Sequence, residues 1–258
     1  MERPDTRSMW NANASAWTEL SRAGFDIHRD LVNTPAFFGL LPPVGGLRCL
    51  DLGCGEGHNT RLLAGRGARV AALDIAETFI AAAAAAGGGG EIRYLVGDGA
   101  VLPFRESSFD AVTAFMSLMD VAAPEQTLQE VARVLRPGGF VQFSVLHPLM
   151  TTPVGEWLAD ERGMRTRRVI GGYFQQGTLT DTWTFSAAPA EMRRRHRPFT
   201  IAYAYRTVAG WLTAVLAAGL TIEAVAEPQA GDAAVAANPR VADTRIVPHF
   251  LLVRARKP

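Results

Sequence analysis

Short apolar runs alternate with stretches of helical apolar spacing between residues 47 and 147. The apolar runs have the length of buried strands and end at polar or glycine residues, whereas the intervening stretches predict helices. The predicted strands are Leu47–Leu52, Arg69–Leu73, Ile92–Val96, Phe109–Phe115 and Phe140–Leu146. The predicted helices are His58–Arg66, Ala76–Ala86 and Pro124–Leu135. Repeated strand–helix–strand units predict a parallel, doubly wound α/β sheet with right-handed crossovers.

The pattern changes after His147. Between residues 148 and 200, aromatic side chains are interspersed with turn residues and arginines, which is not the pattern of another strand–helix unit. We interpret this stretch as an insertion above the carboxyl edge of the sheet. Regularity returns with a predicted helix over Thr207–Ala218. Two predicted strands follow, Thr221–Glu227 and His249–Arg256, separated by a polar loop rich in Ala, Pro and Gly.

Composition narrows the class of protein. The chain has 258 residues, of which 48% are hydrophobic and 20% charged, with a formal net charge of +1. This length suits one α/β domain with an elaboration, and it can bury a core without disulfides or metal. A near-neutral net charge gives no excess positive charge to attract nucleic acid or an anionic membrane, so neither is expected as a partner.

The two cysteines and the hydropathy profile indicate a cytoplasmic protein. Cys49 and Cys54 have no second Cys or His at metal-ligand spacing, so we expect reduced thiols and no metal site. The N-terminal residues lack the apolar run of a signal peptide. No stretch approaches the ~18 uninterrupted apolar residues of a membrane span.

The glycine-rich segment after the first predicted strand carries the strongest chemical signal. Gly53, Gly55 and Gly57 stand between a buried strand and a helix, where glycines let the backbone pass close to a bound cofactor. A dinucleotide site needs its third glycine one place later, and His58 stands there. Asp51, directly before the loop, suits a cationic cofactor without a phosphate at this position better than it suits a pyrophosphate.

The next three predicted strands also end at residues suited to such a cofactor. Asp74 could accept hydrogen bonds from two ribose hydroxyls, and Asp98, followed by Gly99, could accept from an adenine amino group. Phe115-Met116-Ser117 ends the fourth strand beneath the reactive centre. A single aspartate in such a place is more simply a helix cap or turn residue. Their joint occurrence at successive strand ends favours a cofactor site.

At these residues the chain resembles the class I S-adenosylmethionine (SAM)-dependent methyltransferases, of the subgroup called type 11 domains. The resemblance covers residues 47–146 closely and the C-terminal segment only by pattern. The segments that carry it are 50–57 (Leu-Asp-Leu-Gly-Cys-Gly-Glu-Gly), 72–75 (Ala-Leu-Asp-Ile), 97–104 (Gly-Asp-Gly-Ala-Val-Leu-Pro-Phe), 108–112 (Ser-Phe-Asp-Ala-Val) and 134–139 (Val-Leu-Arg-Pro-Gly-Gly).

The resemblance implies a Rossmann-like, seven-stranded sheet, mostly parallel, with a C-terminal antiparallel hairpin. It implies four segments: an N-terminal helical lid (1–46), a SAM-binding core (47–147), an acceptor-binding insertion (148–205) and a helix and hairpin that complete the sheet (206–258). Gly53 and Gly55 would pack on the methionine portion of SAM, Asp74 on the ribose and Asp98 near the adenine. The expected cofactor-binding residues are Asp51, Gly53, Gly55, Asp74, Ile75, Asp98, Gly99 and Met116.

The sequence says less about the residues that bind the methyl acceptor. Trp10 and Trp17 share one face of a predicted lid helix, because they are seven residues apart. They either pack this helix onto the sheet or close over the cofactor. An aromatic face there could stabilise a sulfonium or an amine by ~0.5–2 kcal/mol. Tyr173, Trp183 and His196 complete the expected acceptor-binding residues, since such pockets are mostly apolar.

His147 is the candidate catalytic base. It leaves the fifth strand at the functional edge, and a histidine is suited to accepting a proton near neutral pH. The alternative is a histidine that caps a turn before Pro148.

These residues predict a SAM-dependent methyltransferase that modifies an oxygen or nitrogen of a small organic acceptor, in the biosynthesis of a specialised metabolite. Methylation of carbon is an alternative within the same class. A nucleotide-dependent oxidoreductase and a non-catalytic SAM-binding protein are alternatives of other classes. A homodimer is a further expectation, with the lid as a plausible interface.

Overall fold

The computed structural model describes residues 5–258, so the first four residues of the expected lid lie outside the described part. The strands are β1 (Arg48–Leu52), β2 (Arg69–Asp74), β3 (Ile92–Val96), β4 (Phe109–Phe115), β5 (Leu135–Leu146), β6 (Val154–Ala159), β7 (Arg165–Gly171), β8 (Gly177–Trp183), β9 (Phe199–Tyr205), β10 (Thr221–Ala226) and β11 (Phe250–Arg256). The α-helices are α1 (Thr6–Arg22), α2 (Thr34–Leu40), α3 (His58–Ala64), α4 (Glu77–Ala85), α5 (Pro124–Val134), α6 (Ala190–Arg195), α7 (Val208–Ala217) and α8 (Asp232–Ala237). A π-helix covers Arg29–Asn33 and a 3₁₀-helix Pro239–Arg245.

Seven strands form the central sheet, in the order β3-β2-β1-β4-β5-β11-β10. Strands β1 to β5 pair in parallel, while β11 is antiparallel to both of its neighbours. The order reverses between β1 and β4, which lie side by side. The carboxyl ends of β1 to β5 and the amino end of β11 therefore meet at one edge of the sheet. This architecture confirms the predicted Rossmann-like, seven-stranded fold with a C-terminal antiparallel hairpin.

The central strands are buried on both faces, which explains their near-continuous apolar runs. On β1, Leu50 and Leu52 pack into the larger core with α5 and α7 residues such as Leu128 and Trp211. Cys49 faces the opposite core, with Leu63 of α3. Because successive strand side chains alternate between faces, one short run of residues supplies both cores.

The carboxyl edge of the sheet is covered by the N-terminal and inserted segments. Helix α1 packs against α4 and β9. Leu20 of α1 is buried with Phe185, Phe199 and Ile201 of the segment around β9. Strands β8 and β9 form one antiparallel hairpin, and β6 and β7 form another. The aromatic stretch after residue 148 is thus two hairpins and the short α6, in place of the irregular insertion that its composition suggests.

Two further differences from the sequence-based prediction have local causes. Strand β5 begins at Leu135 rather than Phe140, because the turn backbone pairs with the chain terminus: Gly138 N donates to Lys257 O at 2.9 Å, and Lys257 N to Gly139 O at 2.9 Å. The loop between β10 and β11 contains α8 and the 3₁₀-helix. Asn238 caps the latter by accepting from Arg240 N at 3.1 Å.

Within residues 5–258, none of the helices combines the length and the apolar character needed to cross a bilayer.

Candidate active site

A cavity of about 580 Å³ lies at the carboxyl edge of the sheet. One side, which we call the glycine-loop side, includes the residues directly after β1 to β3, together with Met116 and Ser117 after β4. The other, which we call the lid side, includes residues from α1, the residues around His28, residues 119–122, the β8–β9 hairpin and the start of β11. A smaller pocket of about 140 Å³ lies at the amino ends of β1 and β2, beside Arg48 and Arg69. It contains none of the predicted site residues.

The glycine loop needs its glycines for two different reasons. Gly53 has a φ of +69°, and a Cβ there would lie 2.7 Å from Ser117 Oγ and closer still to Ser117 Cβ. Gly55 has a φ of +55°, but a Cβ there would meet no atom within 4 Å. Gly53 therefore lets β1 and β4 approach each other. Gly55 provides a left-handed backbone turn beside open cavity.

Asp51 supports the loop from beneath. Its carboxylate accepts hydrogen bonds from Thr60 Oγ1 at 2.6 Å and Thr113 Oγ1 at 2.9 Å, and it is 1% exposed. Burial raises the pKa of Asp51, and the two threonine hydroxyls oppose the rise. Its partners belong to α3 and β4, so Asp51 ties both to β1. The structure thus places Asp51 as a positioning residue that does not line the cavity, in contrast to the sequence-based expectation of a cofactor contact.

Asp74 lies at the end of β2 with its carboxylate in the cavity wall, beside Ile75. Oδ2 accepts from Gly55 N at 2.8 Å and Oδ1 from Ala76 N at 2.9 Å. Burial raises the pKa of Asp74 to about 6, and the backbone N–H donors oppose the rise. Each carboxylate oxygen can accept more than one hydrogen bond, so both keep capacity for a ligand's hydroxyls.

Asp98, Gly99 and Met116 also line the cavity, at the ends of β3 and β4. Asp98 Oδ1 accepts from Ala100 N at 2.9 Å, which turns the backbone after β3. A Cβ at Gly99 would lie 3.2 Å from Leu52 and 3.3 Å from Thr127, so the backbone passes close to the core there.

Met116 has a φ of +52°, a conformation uncommon for any residue but glycine. Its N–H donates to Ser144 O at 2.9 Å, and the neighbouring Ser117 Oγ donates to Leu52 O at 2.7 Å. These bonds to β5 and β1 hold the strained turn in place. Backbone strain of this kind concentrates at functional sites.

Trp10, Trp17 and Trp183 lie together on the lid side of the cavity. The rings of Trp10 and Trp17 are 5.4 Å apart in a T-shaped pair, and Trp17 and Trp183 are 5.3 Å apart. Trp10 also contacts Phe79 of α4, with ring centroids 5.9 Å apart. The tryptophans therefore pack α1 against its neighbours and also form part of the cavity wall. That they close over the cofactor stays a prediction.

Two predicted acceptor-binding residues lie outside the cavity. Tyr173 Oη accepts a hydrogen bond from Val208 N at 3.2 Å, at the start of α7. His196 pairs with Glu19, with Nε2 3.3 Å from Oε2. Tyr173 thus links the inserted segment to α7, and His196 links it to α1. The sequence could not exclude them from the cavity, because the path of the insertion is set by tertiary packing.

His147, the predicted base, is also outside the cavity. It is 3% exposed; its Nδ1 accepts from Leu149 N at 3.1 Å, and its Nε2 lies 2.8 Å from Glu227 Oε1. Because Nδ1 accepts a backbone N–H, the proton of the neutral ring is on Nε2 and is donated to Glu227. Burial lowers the pKa of His147, and Glu227 opposes this. Neither nitrogen is left for a substrate. The side chain caps the turn after β5, which was the alternative interpretation.

Sequence reasoning missed three polar residues of the lid side: Asp120, Asp181 and Tyr203. Burial raises the pKa of Asp120 well above its ordinary value, and the negative charge of Asp74 adds to the rise. Burial, followed by the charges of Asp181 and Asp120, raises the pKa of Tyr203 to about 12. Tyr203 is thus a neutral phenol at physiological pH. The position of Asp120 shortly after the predicted strand β4 is a signal in the sequence that could have identified it. Tyr203 belongs to β9, a strand that the sequence did not predict.

A second missed group brings together His28, Asp243 and His249. His28 Nε2 is 2.9 Å from Asp243 Oδ1, and His249 Nε2 is 3.6 Å from the same oxygen. Arg165 binds the other oxygen, with Nη1 2.7 Å from Oδ2. His28, His249 and Arg165 line the cavity. Burial lowers the pKa of His249 to about 4, since the attraction of Asp243 does not offset the desolvation. The ring of His249 is therefore neutral near pH 7.

The cavity thus joins a glycine loop and acidic strand ends to an aromatic, polar lid. Residues 50–143 match the family model described as a methyltransferase domain. The chain is similar to the crystal structure of an S-adenosylmethionine-dependent methyltransferase from Mesorhizobium loti, with 33% identity, a TM-score of 0.73, and coverage of 86% of this chain and 96% of that one. The chain belongs to the SAM-dependent methyltransferases. The cofactor of this family is SAM, which disfavours the oxidoreductase alternative.

Two curated relatives match over shorter segments. A demethylmenaquinone methyltransferase from Clavibacter sepedonicus is 38% identical over 113 residues, which cover 43% of this chain and 45% of that protein. A malonyl-[acyl-carrier protein] O-methyltransferase from Pectobacterium atrosepticum is 35% identical over 132 residues, which cover 51% of each chain. The chain thus spans about half the length of these two relatives. Their names show that proteins similar to this core act on unlike acceptors.

Proposed function

We propose that this protein transfers the methyl group of SAM to an oxygen or nitrogen of a small organic acceptor. The observation that carries the proposal is a single cavity with two chemically different sides. The glycine-loop side has the backbone turns and the Asp74 carboxylate that suit a ribose-bearing cofactor. The lid side presents aromatic walls and neutral or acidic polar groups. A volume of about 580 Å³ falls within the ~300–1,000 Å³ typical of small-molecule sites.

Bound SAM supplies a methyl group already activated by positively charged sulfur, so the protein has mainly to align the acceptor and exclude water. The acceptor atom forms a bond to the methyl carbon, the carbon–sulfur bond breaks, and its electron pair stays on sulfur. An acceptor that must lose a proton passes it to water or to a neighbouring group. Trp10 and Trp17 line the cavity, where an aromatic face turned towards the ligand would favour a cation by ~0.5–2 kcal/mol.

The enclosing lid favours a small acceptor. Helix α1 and the β8–β9 hairpin cover the carboxyl edge, and the net charge of +1 provides no general attraction for a polyanion. Biosynthesis of a specialised metabolite is the role we propose. The cytoplasmic location, the homodimer and the absence of a nucleic-acid partner stay predictions. Carbon methylation is the alternative within the class.

The test combines binding with product analysis. Isothermal titration calorimetry should show SAM binding, and mass spectrometry should show methylated product when phenols, carboxylic acids, amines and quinones are offered with isotope-labelled SAM. Fragmentation of the product locates the label on oxygen, nitrogen or carbon. SAM binding without any turnover across such acceptors, with no product in a metabolite extract either, would favour the non-catalytic alternative.

A further inference from the structure

The strongest unassigned feature is the cluster of His28, Asp243 and His249, which we call the His–Asp–His cluster. His28 precedes the π-helix, Asp243 belongs to the 3₁₀-helix, and His249 stands directly before β11. His28 and its hydrogen-bonding partner Asp243 are 215 positions apart in the chain, whereas Asp243 and His249 belong to neighbouring segments. Nothing in the proposed methyl transfer requires this meeting of two imidazoles and one carboxylate.

We propose that the His–Asp–His cluster binds a divalent transition-metal ion of the zinc type. The candidate ligand atoms, one from each residue, all lie within 4.8 Å of one another. The distances from Asp243 Oδ1 to the two Nε2 atoms are 2.9 and 3.6 Å. Ligands at the ~2.0–2.1 Å bond lengths of tetrahedral zinc lie ~3.4 Å apart. The spacing of the cluster therefore needs only small side-chain shifts to surround an ion.

An unpartnered nitrogen gives a second, independent indication of a ligand. His249 Nε2 is buried and makes no hydrogen bond, although the residue is only 5% exposed. A buried polar atom without a partner is uncommon and calls for an explanation. This nitrogen lies 3.6 Å from Asp243 Oδ1, where an ion shared with His28 would bind it.

The surroundings hold the cluster in position. The rings of His28 and His249 stack with their centroids 4.9 Å apart and their planes at 26°. Trp157 packs on His249 at 5.7 Å. Arg165 binds Asp243 Oδ2 and leaves Oδ1 to the histidines, as residues that orient metal ligands commonly do. The ligands are thus oriented before an ion arrives.

The ligand set also indicates the type of ion and its role. Imidazole nitrogens select zinc, cobalt or nickel over magnesium and calcium, which prefer oxygen. Three protein ligands leave one position of a tetrahedral ion open, as in catalytic rather than structural zinc sites. Since His28 and His249 line the cavity, that position would face the acceptor and bind one of its oxygens. This last step rests on the proposed function, whereas binding of the ion does not.

The test is a cobalt titration of tag-free, chelator-treated protein, followed by visible absorption. We expect one Co²⁺ per chain with a tetrahedral d–d band, and displacement of the cobalt by Zn²⁺. Asp243→Asn and His249→Ala should lose the band. Arg165→Met should weaken binding by about 10–100-fold, because it removes a group that orients a ligand. His196→Ala is the matched control, since this histidine pairs with Glu19 outside the cavity and should bind cobalt like the wild type.

Three outcomes would overturn the proposal. The first is the absence of a band when folded wild-type protein is given excess Co²⁺. The second is equal binding in Asp243→Asn. The third is a sulfur-to-cobalt charge-transfer band, which would indicate ligation by Cys54, another residue of the cavity wall. If the buried His249→Ala variant does not fold by circular dichroism, His28→Gln replaces it, since the His28 side chain is 25% exposed.

SAM calorimetry and methyl transfer on the same samples separate this inference from the proposed function. Cobalt binding without methyl transfer would refute only the function. Methyl transfer without cobalt binding would refute only the metal site, and the cluster would then be a metal-free hydrogen-bonding group for the acceptor.

Discussion

The two sides of the cavity are built in different ways. On the glycine-loop side, the polar side chains follow successive strands and bond to backbone nearby, as Asp74 does with Gly55 and Ala76. On the lid side, the groups come from segments that meet only in the folded chain, such as His28 and Asp243. A parallel sheet brings the ends of its strands together whatever segments are added around it. The glycine-loop side can therefore stay constant among related proteins while the lid side varies. This difference suits a common cofactor and unlike acceptors.

The largest effect should come from Asp74→Ala. It removes a carboxylate that would accept hydrogen bonds from two ribose hydroxyls, each worth about 1.5–3 kcal/mol when the acceptor is charged. SAM affinity should fall by about 100-fold or more, measured by calorimetry. Asp232→Ala is the control, because the Asp232 side chain is 99% exposed and pairs only with Arg245 among the described contacts. Unchanged SAM binding in Asp74→Ala would contradict the assignment of the glycine-loop side.

Gly53→Ala should damage stability and SAM affinity together. A left-handed backbone costs a non-glycine residue about 1–3 kcal/mol, and the new Cβ would also overlap Ser117. Gly46→Ala separates these causes, because Gly46 has a φ of +79° but no atom within 4 Å of an added Cβ. Thermal unfolding should show the larger loss for Gly53→Ala. Equal losses would mean that strain alone matters and that the close approach of β1 and β4 does not.

The pH dependence of SAM affinity should follow Asp74. The pKa of this carboxyl is raised to about 6 in the folded protein, above its ordinary value of 3.8. SAM needs the ionised form, so affinity should be constant above about pH 7 and about tenfold weaker at pH 5. The effect on unliganded stability has the opposite sign, since burying the charge is unfavourable and protonation below pH 6 relieves it. Calorimetry on Asp74→Asn should show no such pH dependence.

Tyr203→Phe should affect only the lid side. The neutral phenol can donate one hydrogen bond to an acceptor, worth about 0.5–1.5 kcal/mol, which corresponds to a 2–10-fold lower kcat/KM. SAM affinity should be unchanged. Tyr205→Phe, on the same strand but outside the cavity wall, is the matched control. A loss of SAM affinity in Tyr203→Phe would show that the two sides are not separate.

His147→Gln should have the smallest effect on turnover. Both ring nitrogens are engaged outside the cavity, so kcat should stay within about twofold of wild type at temperatures where the variant is folded. The melting temperature should fall, because a buried hydrogen-bonded side chain is replaced. A large drop in kcat without a drop in stability would restore His147 as a base.

The sequence predicts residues of the glycine-loop side better than residues of the lid side. Asp74, Asp98 and Gly99 line the cavity at the strand ends where the sequence predicts them, because the end of a strand determines where its next residue lies. Their contacts with SAM stay predictions. Asp51, expected to bind the cofactor, is buried and does not line the cavity. The sequence does not show that Thr60 and Thr113 donate hydrogen bonds to its two carboxylate oxygens. Trp183 lies in the cavity wall but Tyr173 does not, because the packing of the insertion on the rest of the fold decides where each side chain lies.

The sequence by itself determined the sheet, the position of the glycine loop and the SAM-dependent class. Those features depend on periodicity and on partners near in the chain, which a one-dimensional pattern records. Only the tertiary structure decided that His147 turns towards Glu227, and that His28, Asp243 and His249 meet beside Arg165. Such meetings depend on how the lid and the C-terminal segment pack on the sheet. Packing free energy is a sum over many weak contacts, and no local motif encodes it.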